Sequence, residues 1–243
     1  SICAGAFAGM VVMTGFLLFD ASKEEWVLRQ KYPNAVNAAE RLLLYSQDLV
    51  SEGDGAKAEK LSRKVLAETS TGATRADALL LLGQIIERAR HDEDTRREAR
   101  EFYLEFLKDY PTDQRVPLAR MRLAQNYAAS GFIDESNSEY ERLLDVLRDS
   151  DKAAAIRLHI ARNYSQAGNF SKARQLLEEI IQSAFDEQTQ NDARLLLGRL
   201  LLEEGENNAA VSELVALSKD APGTLHAAAA LELLAQEALE KNA

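Results

Sequence analysis

The chain has one cysteine, four prolines, one tryptophan and three histidines in 243 residues, and its acidic residues outnumber its basic ones 39 to 29. A single thiol, Cys3, excludes an internal disulfide and any cysteine-rich zinc site. Lipid attachment at Cys3 is rejected as well, because a lipoprotein signal places the apolar run before the cysteine and here it follows. The histidines supply no metal set: His91 lies in an acidic run, and His159 and His226 stand far apart with no Glu or Cys at ligand spacing. Asp92, Glu93 and Asp94 read as the start of a helix, whose dipole favours carboxylates there, ahead of a weak divalent site with His91. A net charge of −10 argues against nucleic acid, whose binding depends on clustered Lys and Arg releasing counterions. No Gly-rich phosphate loop, nucleophile motif or zincin signature occurs. No catalytic residue, cofactor or metal is therefore expected.

What the chain does have begins with a run without charge from Ile2 to Phe19, eighteen residues that include Phe7, Val11, Val12, Phe16, Leu17, Leu18 and Phe19. As a helix it spans about 27 Å, close to the hydrocarbon thickness of a bilayer. Its strongly apolar residues favour insertion by on the order of 2.5 to 5 kcal/mol. A transmembrane helix over 1–20 is expected, followed by a juxtamembrane helix or linker over 21–33 with Trp26 and Tyr32 near the interface. A secretory signal and a helix buried against the rest of the chain are the other readings; Phe19-Asp20-Ala21 is a poor cleavage site. Gly5 and Gly9 form a small-xxx-small pair that suits close approach of a second membrane helix, though such residues are also common in membrane helices generally.

Beyond this segment, Ser46, Gly83, Ala124, Ala161 and Gly198 recur at intervals of 37, 41, 37 and 37 residues. A fixed period in this range marks stacked helical hairpins, each unable to bury its apolar face alone. With these residues set at place 8 of a unit, Leu197, Leu201, Gly205, Ala210, Leu214, Leu217 and Pro222 occupy places 7, 11, 15, 20, 24, 27 and 32 of the last one. Ile160, Tyr164, Gly168, Ala173, Leu177 and Ile180 repeat the pattern, as do Leu123, Tyr127, Gly131, Ser136, Tyr140 and Leu143. Small residues at places 8 and 20 let the two helices of a hairpin approach, glycine at place 15 caps the first helix, and proline at place 32 stops the second. The interval of 41 is an insertion of four, supplied by His91, Asp92, Glu93 and Asp94, after which Ala99, Tyr103, Phe106 and Pro111 restore the register. Residues 34–69 form the weakest unit, with Ser62 where an aromatic or leucine belongs.

These offsets resemble the tetratricopeptide repeat. The long units, with endings such as Phe106-Leu107-Lys108-Asp109-Tyr110-Pro111, are most similar to bacterial envelope proteins of that family: the repeat lipoprotein of the outer-membrane barrel-assembly machinery, the Tol-Pal-associated coordinator and, in order of parts, the ancillary translocon subunit. The pitch is about three residues longer than the usual 34, and the early tryptophan of the motif is absent. The resemblance implies an all-α, right-handed superhelical solenoid of about five hairpins over 34–223, closed by a capping helix over 224–243.

In that family the first helix of each hairpin lines a concave groove. Place 5 holds Leu43, Leu80, Met121, Leu158 and Leu195; place 9 holds Gln47, Gln84, Gln125, Arg162 and Arg199. An apolar row beside amides and guanidiniums suits an extended or helical peptide. The alternative for place 5 is packing between successive hairpins. Arg120, Arg157 and Arg194 at place 4 would add a basic ridge if they surface together. The Lys or Arg at place 5 and Asn at place 9 that clamp a C-terminal carboxylate in some relatives are absent. The functions to be weighed are a single-pass scaffold for protein partners at a bacterial inner membrane with the repeats outside the cytoplasm, a subunit of a large membrane complex, and a chaperone for secreted or envelope proteins.

Overall fold

The structure, a computed structural model, describes residues 24–89, 92–147, 151–183 and 186–240. All regular elements among them are helices: α1 over residues 24–31, then α2 Ala38–Glu52, α3 Gly55–Glu68, α4 Ala73–Ala89, α5 Glu93–Asp109, α6 Val116–Ala129, α7 Ile133–Leu147, α8 Asp151–Gln166, α9 Phe170–Ser183, α10 Glu187–Glu203, α11 Asn207–Asp220 and α12 Leu225–Glu240. The expected membrane helix over 1–20, Gly5 and Gly9 included, lies outside the described residues. Within them, no helix is long and apolar enough to cross a membrane. The chain divides into two compact units, residues 1–119 and 120–243.

The helix ends are written in short polar side chains and in the place 15 glycines. Asn37, Asp54, Asp92 and Asp186 each accept a hydrogen bond from the backbone N–H three residues on, which satisfies one of the orphan donors of α2, α3, α5 and α10. Gly168 adopts φ 73°, a conformation that costs only glycine little. There its N–H reaches the Ser165 carbonyl at 2.9 Å and that of Asn169 reaches Tyr164 at 2.8 Å, the paired bonds of a Schellman turn. Gly131 with Phe132, and Gly205 with Glu206, repeat the same pair. Of the insertion between α4 and α5, His91 lies outside the described residues, Asp92 is the N-cap of α5, and Glu93 and Asp94 form its first turn, so that α5 runs 17 residues against 14 for α9 and for α11.

In the first unit, α2 pairs with α3, α4 pairs with α5, and α4 packs on the preceding hairpin. The segment expected as linker is part of this packing. Leu28 of α1 is buried with Leu42, Leu43, Val65 and Ala78, while Glu25 accepts from Arg41 at 2.6 Å and the Tyr32 hydroxyl donates to Asp48 at 2.6 Å. Ser46 and Ser62, both fully buried, lie 2.6 Å apart, and the Ser46 hydroxyl donates to the Ala58 carbonyl at 2.7 Å. One hydroxyl at place 8 and one at place 24 therefore fill the space that a small residue and a large one fill elsewhere.

In the second unit, α8 pairs with α9 and α10 with α11, and α7, α9 and α12 pack on the hairpins beside them. Ser136 at place 20 donates to the Ala124 carbonyl at 2.8 Å and accepts from Asn163 at 2.8 Å, so its buried hydroxyl is paired on both counts. A continuous apolar cluster joins Leu158 and Ala161 of α8, Leu177 and Ile180 of α9, and Leu197 and Leu200 of α10. At about 1.5 to 3 kcal/mol for each fully buried leucine or isoleucine, this contact supplies the cohesion that an isolated hairpin lacks. Helix α12 covers α10 and α11 through Ala230, Leu233 and Leu234.

Candidate partner-binding surface

The two rows expected in the groove separate cleanly by burial. Leu43, Leu80 and Leu158 at place 5 are 2%, 5% and 7% exposed. Leu43 packs with Ala78 of the next hairpin, and Leu158 with Ala193 and Leu197 of the next. Met121 and Leu195 are partly buried, Met121 against the cluster of Tyr140, Leu143 and Ile156, and Leu195 against that of Leu214, Leu217 and Ala230. Place 5 thus joins neighbouring hairpins at Leu43 and Leu158, and Leu43, Leu80 and Leu158, all buried, are corrected from groove lining to core. The physical reason is that the second helix of the hairpin leaves one apolar flank of the first uncovered at Leu43 and at Leu158, and the next hairpin closes over it there.

Place 9 points the other way. Gln47, Arg162 and Arg199 are exposed, and Gln84 and Gln125 are half-buried. Neither Arg162 nor Arg199 takes part in an ion pair among the described residues. Arg162 lies within electrostatic reach of an aromatic pair: buried Tyr140 and half-buried His159 stack with ring centroids 5.3 Å apart and planes 5° from parallel. Burial pushes the Tyr140 hydroxyl up to about 12, and burial followed by the Arg162 charge pushes His159 below its ordinary value, so the imidazole is neutral at pH 7. Arg199 lines a cleft of about 340 Å³ between α10 and α12 with Leu202, Glu203, Leu233, Gln236 and Glu237.

The basic ridge envisaged at place 4 does not form. Arg120 donates to Glu139 at 2.6 Å, and Arg194 donates to Glu213 at 2.6 Å and Asp220 at 3.0 Å. Glu139 and Glu213 share place 23, so these two arginines fasten the helices of their own hairpins. That coincidence is visible in the sequence once place 23 is inspected beside place 4. Arg157, whose unit has Leu176 at place 23, instead borders a cleft of about 340 Å³ with Glu141, Lys172 and Glu179. No cluster of three His, Cys, Asp or Glu side chains suited to a metal occurs among the described residues. Asp92 is spent on its cap and Asp94 pairs with Arg97.

The helical hairpins of each unit have a tetratricopeptide-like fold. The family model of a tetratricopeptide repeat-like domain matches residues 124–233. Among solved structures, a tetratricopeptide repeat protein from Parabacteroides merdae is similar at TM-score 0.64 and 20% identity, over 80% of this chain and 72% of that one. Pseudomonas aeruginosa pilF is similar at TM-score 0.57 and 20% identity, over 92% and 93% of the two chains. YrrB, described as a TPR protein with an unusual peptide-binding site, is similar at TM-score 0.60 and 13% identity, over 85% and 96%. No curated protein matches the sequence. At these identities the solved structures speak for the fold alone.

Proposed function

We propose that the chain is a membrane-anchored scaffold that receives a protein partner along the place 9 row of the second unit. The observation that carries this reading is that Arg162 and Arg199 occupy the same place on successive first helices, exposed and without an ion pair among the described residues, while Arg120 and Arg194 are tied to carboxylates. Two guanidiniums one repeat apart, with the amide of Gln125 at the same place of the preceding first helix, offer donors to the carbonyls or carboxylates of an extended segment or helix. The peptide-binding site described for YrrB supports a partner of this kind. The apolar run Ile2–Phe19 supports a membrane anchor. A bacterial inner membrane with the repeats outside the cytoplasm is the setting that the envelope resemblance favours.

Binding of acidic peptides to the full-length protein in detergent, read by fluorescence anisotropy, tests the row. Arg162→Glu with Arg199→Glu should weaken binding at least tenfold and leave the helical circular dichroism unchanged. Equal binding by both proteins overturns the site. Alkaline extraction of native membranes tests the anchor: the protein should stay in the pellet, and its release into the supernatant contradicts a spanning helix.

A further inference from the structure

Arg120, Arg157 and Arg194 stand at the same place of three successive first helices, but only two of them meet a carboxylate. Arg120 reaches Glu139 and Arg194 reaches Glu213, each at 2.6 Å and each across its own hairpin. In the hairpin of α8 and α9 the equivalent position holds Leu176. Arg157 is left half-buried with no ion pair among the described residues. It lines an open cleft of about 340 Å³ between α7 and α9, which runs over α8 and from Lys172 to Glu179 along α9. Leu144, Ile160 and Leu176 give the cleft apolar walls, and the Lys172 ammonium stands 5.0 Å from the Tyr164 ring centre at its edge. A guanidinium that has lost part of its hydration beside apolar side chains recovers that cost best against a carboxylate.

We infer that this cleft is a second receptor site, separate from the place 9 row, and that its occupant is a segment of a partner protein with a Glu or Asp side chain next to an apolar one. The incoming carboxylate takes at Arg157 the position that Glu139 and Glu213 hold at Arg120 and Arg194, and the apolar side chain lies against Leu144 and Leu176. Glu141 and Glu179 also line the cleft and offset the charges of Arg157 and Lys172. The site therefore accepts a single carboxylate placed at Arg157 and repels a run of acidic residues. Its shape points to a polypeptide. An open cleft between three helices admits two or three side chains of a segment lying across it, whereas a free small acid would stay largely exposed there.

The probe is a Gly/Ser peptide with blocked ends, a neutral dye and one Glu between two Leu, read by fluorescence anisotropy on the full-length protein in detergent. Changing that Glu to Gln in the peptide should weaken binding at least tenfold, and Arg157→Gln in the protein should weaken the Glu peptide to the same degree. Arg162→Glu with Arg199→Glu should leave its binding unchanged. Leu176→Glu should abolish it with helicity retained, because the new carboxylate meets Arg157 as Glu139 meets Arg120. If Leu176→Glu loses helicity, Arg157→Gln decides, since Arg157 holds no ion pair of the fold. Equal binding of the two peptides, no binding of either, or undiminished binding by Arg157→Gln overturns the inference. Loss of binding in Arg162→Glu with Arg199→Glu overturns it too, by moving the carboxylate to the place 9 row.

Discussion

Gly83 of α4 lies directly beneath the ring of Tyr103 of α5: a methyl group on Gly83 would stand 2.5 Å from Tyr103 Cε1 and 2.6 Å from Cζ. The ring has little room to retreat, because Tyr103 is fully buried and its hydroxyl donates to Glu87 at 2.9 Å. Place 8 is therefore glycine here because of the residue at place 24, as Gly198 is beneath Leu214.

Gly83→Ala is the direct consequence. Overpacking costs about 1 to 3 kcal/mol, while replacing a mid-helix glycine by alanine returns up to about 1 kcal/mol. The net result should be a loss of about 1 to 2 kcal/mol in urea unfolding, partly recovered by adding Tyr103→Leu. An unchanged or raised midpoint for Gly83→Ala contradicts the packing described.

The first hairpin makes the opposite choice at the same two places, a serine facing a serine. Ser46→Ala and Ser62→Ala should each destabilise by about 1 kcal/mol, since each strips a buried hydroxyl of its partner. The double variant should lose less than the two single losses together, because neither hydroxyl is then left alone. Strict additivity would show that the 2.6 Å contact contributes nothing.

His159 gives the second unit a pH dependence. Its folded value lies below the ordinary 6.5, through burial first and the Arg162 charge second. The unfolded chain therefore binds this proton before the folded chain does. The stabilisation is complete above pH 6.5 and is lost as the pH falls below it, until the folded imidazole also protonates. An NMR titration of the full-length protein should place the His159 midpoint below 6.5, and Arg162→Gln should raise it. A midpoint at or above 6.5 contradicts the burial.

The turn after α5 carries a second, more acidic window. Arg115 donates to Asp113 through its side chain and its backbone N–H, pairs with Asp77 of α4, and lies 5.6 Å from the Phe106 ring centre. The Arg115 side chain, then its backbone N–H, holds the Asp113 carboxyl down at about 2 against an ordinary 3.8. Its contribution is present above pH 3.8 and disappears as the pH falls toward 2. Asp113→Asn should remove that part of the acid sensitivity, measured as the drop in melting temperature between pH 4 and pH 2. An identical drop in both proteins contradicts the assignment.

Much of the fold was legible because place 8, place 15 and place 24 answer to sterics that a sequence displays: a small residue at a crossing, a glycine in a left-handed turn, a bulky residue over the small one. Ser62 looked like a flaw only while it was read without Ser46, since the two departures form a single hydrogen-bonded solution. The groove was less legible. Leucine at place 5 suits a peptide track and a contact between hairpins equally well, and only the packing of Leu43 on Ala78 and of Leu158 on Ala193 decides between them. Arg120 and Arg194 read as surface charge until Glu139 and Glu213 are seen across the hairpin.

Whether partners are held along the place 9 row can be read in the native membrane by placing a photo-crosslinking amino acid at single positions of the full-length protein. Crosslinked adducts should form from positions 125, 162 and 199 and be absent from Glu178 and Gln182 on the exposed side of α9. Adducts from Glu178 and Gln182 with none from 162 or 199 would contradict a scaffold that binds through its exposed arginines.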